Sequence, residues 1–201
     1  MQRIFSWPYR AILAGLYRAG VRPWQLTVTS VLSNGVVGWL LIVGRWFAAG
    51  SLLIAAGLFD IFDGAVARLR GEDSRLGAFL DSVLDRVSDA VLFGCLFWSL
   101  SAEDERLQAG LALAALLITI MVSHIRAEAE SAGVSLSEGF FQRLERYLAL
   151  IAGLMIPGAM LPMLMVLVGL GGITVLQRGW AAIIRVAAGS GGTGRSSDPQ
   201  R

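Results

Sequence analysis

The chain of 201 residues contains no lysine, one cysteine, one histidine and five prolines. Charged residues make up only 16% of it, against about 25% in soluble domains. Each shortage excludes something. A single cysteine, Cys95, cannot close an intrachain disulfide, so a disulfide scaffold is ruled out. A net charge of +2 does not supply the basic surface that a nucleic-acid-binding module needs, and no nucleic-acid partner is expected. There is no P-loop and no dinucleotide fingerprint. The first twenty residues hold no apolar run long enough for the core of a cleavable signal peptide. The one histidine, His124, is expected to pack or sit at the membrane interface rather than to catalyse.

What remains is apolar. At 55% hydrophobic the chain is too rich for disorder, and its apolar runs reach the length that crosses a bilayer. The fold expected is an all-α membrane protein, six transmembrane helices preceded by an N-terminal interfacial amphipathic helix. Residues 1–22 set Arg3, Arg10 and Arg18 among Ile4, Phe5, Trp7, Tyr9 and Leu13, the pattern of a helix lying on a membrane, interrupted near Pro8. Residues 23–186 would form the membrane domain. Trp24 to Val43 carries no charge and is followed by the tight connection Gly44-Arg45-Trp46. A second helix starts at Phe47 and, past Phe59, takes up Asp60, Asp63 and Arg68. The third begins near Arg75, passes Asp81, Asp85 and Asp89, and continues to about Ala102. A polar loop at 103–106 leads into a fourth run, Leu107 to His124, whose periodicity extends to about Ala132. Past a loop at 133–139, two more helices fit between Phe140 and Arg185, divided around Pro157 and Pro162. Residues 187–201 are rich in Gly and Ser and are predicted to be a disordered tail. Trp39, Trp46, Phe93, Phe97 and Trp98 read as membrane anchors.

Arginine sets the expected orientation. Six spans put both termini on one side, together with Arg3, Arg10, Arg18, Arg22, Arg70, Arg75, Arg143, Arg146, Arg185, Arg195 and Arg201. Only Arg45 and Arg106 fall on the other. The termini are therefore expected to be cytoplasmic, with the aspartate-bearing helix ends beside them.

The stretch DIFDGAVARLRGEDSRLGAFLDSVLD, residues 60–85, concentrates the chemistry. At about 100° per residue, Asp63 lies about 60° to one side of Asp60, Gly64 about 40° to the other, Ala67 about 20° away and Arg68 about 80°. These residues share one stripe. On the next helix Gly77, Asp81 and Asp85 recur every fourth residue and share another. A short connection around Ser74 lets the two stripes face each other. Four carboxylates converging at a membrane boundary repel one another, and one Arg68 cannot balance them. Either most are protonated or cations are bound, and all-oxygen donors suit hard divalent ions such as Mg2+ or Mn2+. The small residues Gly64, Ala67 and Gly77 leave room for a ligand, although small residues also serve close helix packing.

Asp60-x-x-Asp63-Gly64-x-x-Ala67-Arg68, then Gly77-x-x-x-Asp81-x-x-x-Asp85, resembles the full signature of the CDP-alcohol phosphatidyltransferases, matching at all eight fixed positions and in spacing. The resemblance implies six transmembrane helices, a homodimer, a site open to the cytoplasm and transfer of a substituted phosphate from a CDP-linked lipid to an alcohol, with release of CMP. It implies that Asp60, Asp63, Asp81 and Asp85 hold one or two Mg2+ or Mn2+ ions, and that Asp85 is also the general base. It places Asp63, Gly64, Ala67, Arg68, Ser74, Gly77 and Asp81 at the CDP-lipid site. Thr27 is assigned to that site too, although many members carry Pro-Asn or Pro-Asp where this chain has Pro23-Trp24.

Later residues resemble the branch that makes phosphatidylinositol phosphate or its archaeal ether-lipid counterpart. Ser123-His124-Ile125-Arg126, the segment Gly139-Phe140-Phe141-Gln142-Arg143-Leu144-Glu145-Arg146 and Thr174-Val175-Leu176-Gln177-Arg178 carry that likeness. It implies that Arg126, Arg143, Arg146 and Arg178 bind the phosphate of a phosphorylated polyol. Arginines within membrane helices need anions, and Arg grips a phosphate dianion bidentately. The plain alternative is pairing with Glu128, Glu130 or Glu145. Glu128 stands where many inositol-phosphate enzymes carry Arg. A glycerol 3-phosphate acceptor would use the same cluster. From other classes, an aromatic prenyltransferase and a divalent-cation transporter compete: the first is expected to be longer with differently spaced aspartates, the second to spread its acids across the membrane rather than gather them at one end.

Overall fold

The computed structural model describes residues 12–71, 75–134 and 143–190. Among them the chain is all helix, with no strand. A short helical segment at 12–18 precedes six helices: α1 (Pro23–Ile42), α2 (Trp46–Arg70), α3 (Arg75–Ala102), α4 (Arg106–Ser131), α5 (Arg143–Met155) and α6 (Met160–Ser190).

Local chemistry sets most of these boundaries. Pro23 occupies the first turn of α1, where its missing N–H costs nothing. Gln25 Oε1 accepts a hydrogen bond from the Arg22 backbone N–H at 2.9 Å and closes that end. Gly71 ends α2 in the left-handed region at φ 64°, which favours glycine. The break between α5 and α6 falls at Pro157-Gly158, with Gly158 at φ 76°. Pro162, read above as part of that break, lies instead in the first turn of α6, where proline is tolerated. α6 also continues to Ser190, past the boundary expected for the tail at 187.

α1 packs on α2 and α3, α3 on α4, α4 on α6, and α5 on α2 and α6. α5 makes no close backbone approach to α3. The main core gathers Leu41, Leu53, Phe93, Leu96, Leu150 and Leu164; Phe93, with Trp46 and Phe97 packed against this core, is thus part of the interior and not the membrane anchor expected above. A smaller cluster of Leu26, Phe62 and Val66 seats Leu13, Leu16 and Val21, fixing the 12–18 segment against α1 and the end of α2. The rest of the proposed surface helix, residues 1–11, lies outside the described residues. Among the described residues, close approaches depend on glycine at three positions, one of them Gly38, where a Cβ would stand 2.8 Å from Cys95 Sγ. A Cβ at Gly50 would stand 2.7 Å from Met155 Cγ and 3.2 Å from Leu154 Cβ; at Gly171 it would stand 2.7 Å from Ile118 Cγ2.

Pro23–Ile42, Arg106–Ser131 and Met160–Ala187 are long and apolar enough to cross a membrane. Large apolar side chains face outward along the helices, among them Trp24, Leu32, Trp39, Phe47, Trp98 and Trp180. In water such a surface would be an aggregation liability; in a bilayer it is the lipid face. α2 and α3 instead carry acidic side chains at adjoining ends, and those define the site.

Candidate active site

The adjoining ends of α2 and α3 bring Asp60, Asp63 and Asp81 together: one carboxylate oxygen from each lies within 4.8 Å of the others. Asp63 is buried, Asp60 half-buried and Asp81 exposed, so the group opens to one side. Helical period explains the first pair, and the short connection at Gly71 explains the third member. Three carboxylates this close, all offering oxygen, suit a hard divalent cation. Thr27 of α1 donates from Oγ1 to Asp63 Oδ2 at 2.9 Å, fixing the orientation of the buried member.

Asp85 stands outside that three-carboxylate group. Its Oδ1 accepts a hydrogen bond from Arg143 Nη1, which also donates to Asp60 Oδ1 at 2.8 Å. Arg143 thus bridges the first and last aspartates of the signature. Its Nη2 donates to the Tyr147 hydroxyl at 3.3 Å, and that hydroxyl donates to Asn34 Oδ1 at 3.4 Å. Tyr147 and Asn34 were not singled out from the sequence. A buried asparagine in the middle of an uncharged span was the available signal for one of them.

The small residues are placed as their period requires. Gly64 and Ala67 are half-buried beside Asp60 and Asp63, and Gly77 is exposed one turn before Asp81. A Cβ at Gly64 would approach Arg68 Nη1 at 3.4 Å, so the exposed Arg68 leans over that glycine. Ser74 lies outside the described residues.

The four arginines assigned to the acceptor take different partners. Arg143 lies on Asp60 and Asp85. Arg146 is buried and donates from Nη2 to Asp89 Oδ2 at 2.8 Å. Arg178, also buried, donates from Nη1 to the Val122 carbonyl at 3.5 Å. Arg126 is exposed and pairs with Glu130 at 2.8 Å, the bland alternative in its case. Arg146 and Val122 line the same small cavity between α4, α5 and α6, so Arg146 and Arg178 address one turn of α4. Arg86 reaches the neighbouring Ser123 carbonyl from α3 at 3.4 Å. His124 is exposed, 4.0 Å from Glu128 and remote from the carboxylate group in its contacts.

A model of the CDP-alcohol phosphatidyltransferases matches residues 21–189. The chain belongs to that family. The matched residues take in the aspartates of α2 and α3 and reach into all six helices. Over 142 residues the chain is 35% identical to the phosphatidylinositol phosphate synthase of Mycobacterium marinum, which covers 69% of this chain and 60% of that protein. It therefore spans less than two thirds of that relative. Over 140 residues it is 38% identical to the archaetidylinositol phosphate synthase of Methanothermobacter thermautotrophicus, covering 67% of this chain and 69% of that one. Two solved structures of the Mycobacterium tuberculosis phosphatidylinositol phosphate synthase share the fold. One, with CDP-DAG bound, superposes with a TM-score of 0.77 at 30% identity, covering 86% of this chain and 92% of that chain. The other, with manganese and citrate, gives 0.78 at 28% identity, covering 95% and 92%. Family membership and three bilayer-length helices make this chain an integral membrane protein.

Proposed function

We propose that this chain transfers the phosphatidyl group of CDP-diacylglycerol, or of a CDP-linked ether lipid, to a hydroxyl of a phosphorylated polyol and releases CMP. Inositol 1-phosphate is the acceptor favoured. The observation that carries the reading is the meeting of Asp60, Asp63 and Asp81 at 4.8 Å or less, in the family signature and beside Asp85. The naming of similar proteins as phosphatidylinositol and archaetidylinositol phosphate synthases supports the choice of acceptor.

Asp60, Asp63 and Asp81, with Asp85 adjoining, would hold Mg2+ or Mn2+; manganese in a similar structure supports that donor set. Such an ion supplies charge neutralisation for the diphosphate and the leaving CMP. Everything else falls to the side chains. Thr27 and Asp63 fix one wall of the nucleotide site, and Gly64, Ala67 and Gly77 leave the helix surfaces open to the cytidylyl group; Ser74, outside the described residues, is assigned to the same site from the family resemblance. Arg68 lies beside the diphosphate. Asp85 takes the proton from the acceptor hydroxyl as the phosphorus–oxygen bond to CMP breaks. A carboxylate is a weak base for an alcohol, so deprotonation and attack are concerted. Arg143, shared between Asp60 and Asp85, orients that base and meets the acceptor phosphate, with Arg146, Arg178 and Arg126 deeper or further along.

Membrane placement completes the reading. All six helices would span, with the termini and the site at the cytoplasmic face, and a second copy would pair with the first as a homodimer. The deciding experiment incubates the purified protein in lipid nanodiscs with CDP-diacylglycerol and either radiolabelled inositol 1-phosphate or glycerol 3-phosphate. Transfer to inositol 1-phosphate that stops with a chelator and resumes with Mg2+ or Mn2+ is the expected result. Incorporation of glycerol 3-phosphate alone would overturn the acceptor assignment. Metal flux through liposomes without CMP release would overturn the transferase reading.

A further inference from the structure

Asp89 lies outside the eight signature positions, yet it continues their spacing. Asp81, Asp85 and Asp89 follow one another at every fourth residue of α3, so one stripe carries three carboxylates at three depths. The first belongs to the three-carboxylate group, the second meets Arg143 and the third meets Arg146. Asp89 is the most deeply buried, 3% exposed, and Arg146 is 8% exposed. Their bond, Nη2 to Oδ2 at 2.8 Å, reaches from α3 to a helix whose Cα atoms stay more than 8 Å from those of α3, although side chains of both share the main core.

A buried ion pair is a poor device for stability. Desolvating both charges costs about as much as their attraction returns, and apolar side chains of similar volume do as well or better. This pair is also incompletely satisfied: Asp89 Oδ1 and Arg146 Nε are buried without a hydrogen-bond partner. Position is the property such a pair does supply. One carboxylate oxygen on Nη2 tethers the guanidinium at one corner and leaves Nε unpartnered. Arg146 lines the cavity with Thr119 and Val122 of α4 and Gly171 of α6, next to the turn that Arg178 and Arg86 address. Cations from α3, α5 and α6 thus approach one turn of α4, and Asp89 is the carboxylate that orients the α5 member.

We propose that Asp89 is a positioning residue of the acceptor site, holding the Arg146 guanidinium in the attitude that receives the acceptor phosphate. The proposal rests on the reading of Arg146 as an acceptor contact. Asp89 touches no substrate itself, and its effect passes through Arg146.

The test compares Asp89→Asn, Asp89→Glu, Arg146→Ala and the double variant Asp89→Asn/Arg146→Ala in nanodiscs. Three quantities are measured: KM for inositol 1-phosphate, KM for CDP-diacylglycerol, and Mn2+ affinity by electron paramagnetic resonance. The expected result for Asp89→Asn is a rise of about tenfold or more in acceptor KM, with donor KM and Mn2+ affinity changed less than about twofold. Asp89→Glu recovers part of the loss, and the double variant is no worse than Arg146→Ala alone. An unchanged acceptor KM in Asp89→Asn, or parallel losses in all three quantities, overturns the proposal. If Asp89→Asn does not accumulate folded, Asp89→Glu decides by the same split between acceptor and donor. An Arg146→Ala variant with normal acceptor KM overturns the underlying reading of Arg146. A raised KM there, with Asp89→Asn normal, overturns the role of Asp89 alone.

Discussion

Replacing Asp85 by asparagine preserves size and the hydrogen bond from Arg143 but removes the base. Loss of a general base costs about 100- to 10,000-fold in turnover. The expected outcome is a fall of that order in CMP release, with CDP-lipid binding retained in a filter assay. Substantial residual release would move the base elsewhere. Thr27→Val is a milder change. It deletes the 2.9 Å bond to Asp63, worth about 1 kcal/mol or somewhat more to a charged acceptor, and Mn2+ titration should read a weakening of about fivefold. At this scale the aspartates were legible because metal chemistry demands both residue type and helical spacing. The arginine partners were not. Arg143 could be assigned to an anion from its place near a helix start, but no pattern in one dimension says that Asp60 and Asp85 share it. Asp89 was not singled out in the sequence, and its meaning depends on Arg146, 57 positions away in the chain.

Helix boundaries followed from local rules, and their errors have local causes. α3 and α4 begin and end within a residue or two of where charge and period place them. Pro162 misleads because proline in a first turn starts a helix as readily as it ends one. Which helices touch is a different kind of information, written in the small residues and read only in three dimensions. Gly50 on α2 is the sharpest instance, with Met155 and Leu154 of α5 already against its backbone. Gly50→Val forces α5 outward, an overpacking cost of about 1–3 kcal/mol. A fluorescence thermal-shift measurement should show a lowered melting temperature. Because α5 also carries Arg143 and Arg146, acceptor KM should rise along with it. A variant as stable and as active as the parent would mean that the close contact is dispensable.

For the molecule as a whole, the all-helical architecture and the gathering of acids at one end follow from hydropathy and charge. Sidedness rests on arginine asymmetry and has a direct check. In a Cys95→Ser background, cysteines are placed at Glu103, just before α4, and at Ser131, its last residue, at opposite ends of that helix. A membrane-impermeant maleimide applied to intact cells should label Glu103→Cys at once and Ser131→Cys only after permeabilisation. The reverse pattern would turn the site to the outside.

The wide backbone spacing of α3 and α5 bears on how a hydrophilic acceptor would get in. Two packed apolar faces must be wetted before anything passes between them, and that re-exposes hydrocarbon at about 25 cal/mol for every Å². Here α3 and α5 are linked by Arg143 with Asp85 and Arg146 with Asp89 instead of by interlocked backbones. On the proposed acceptor reading, an arriving dianion would trade places with a carboxylate as counter-ion, one arginine at a time, and entry would be an exchange of charges along a ladder.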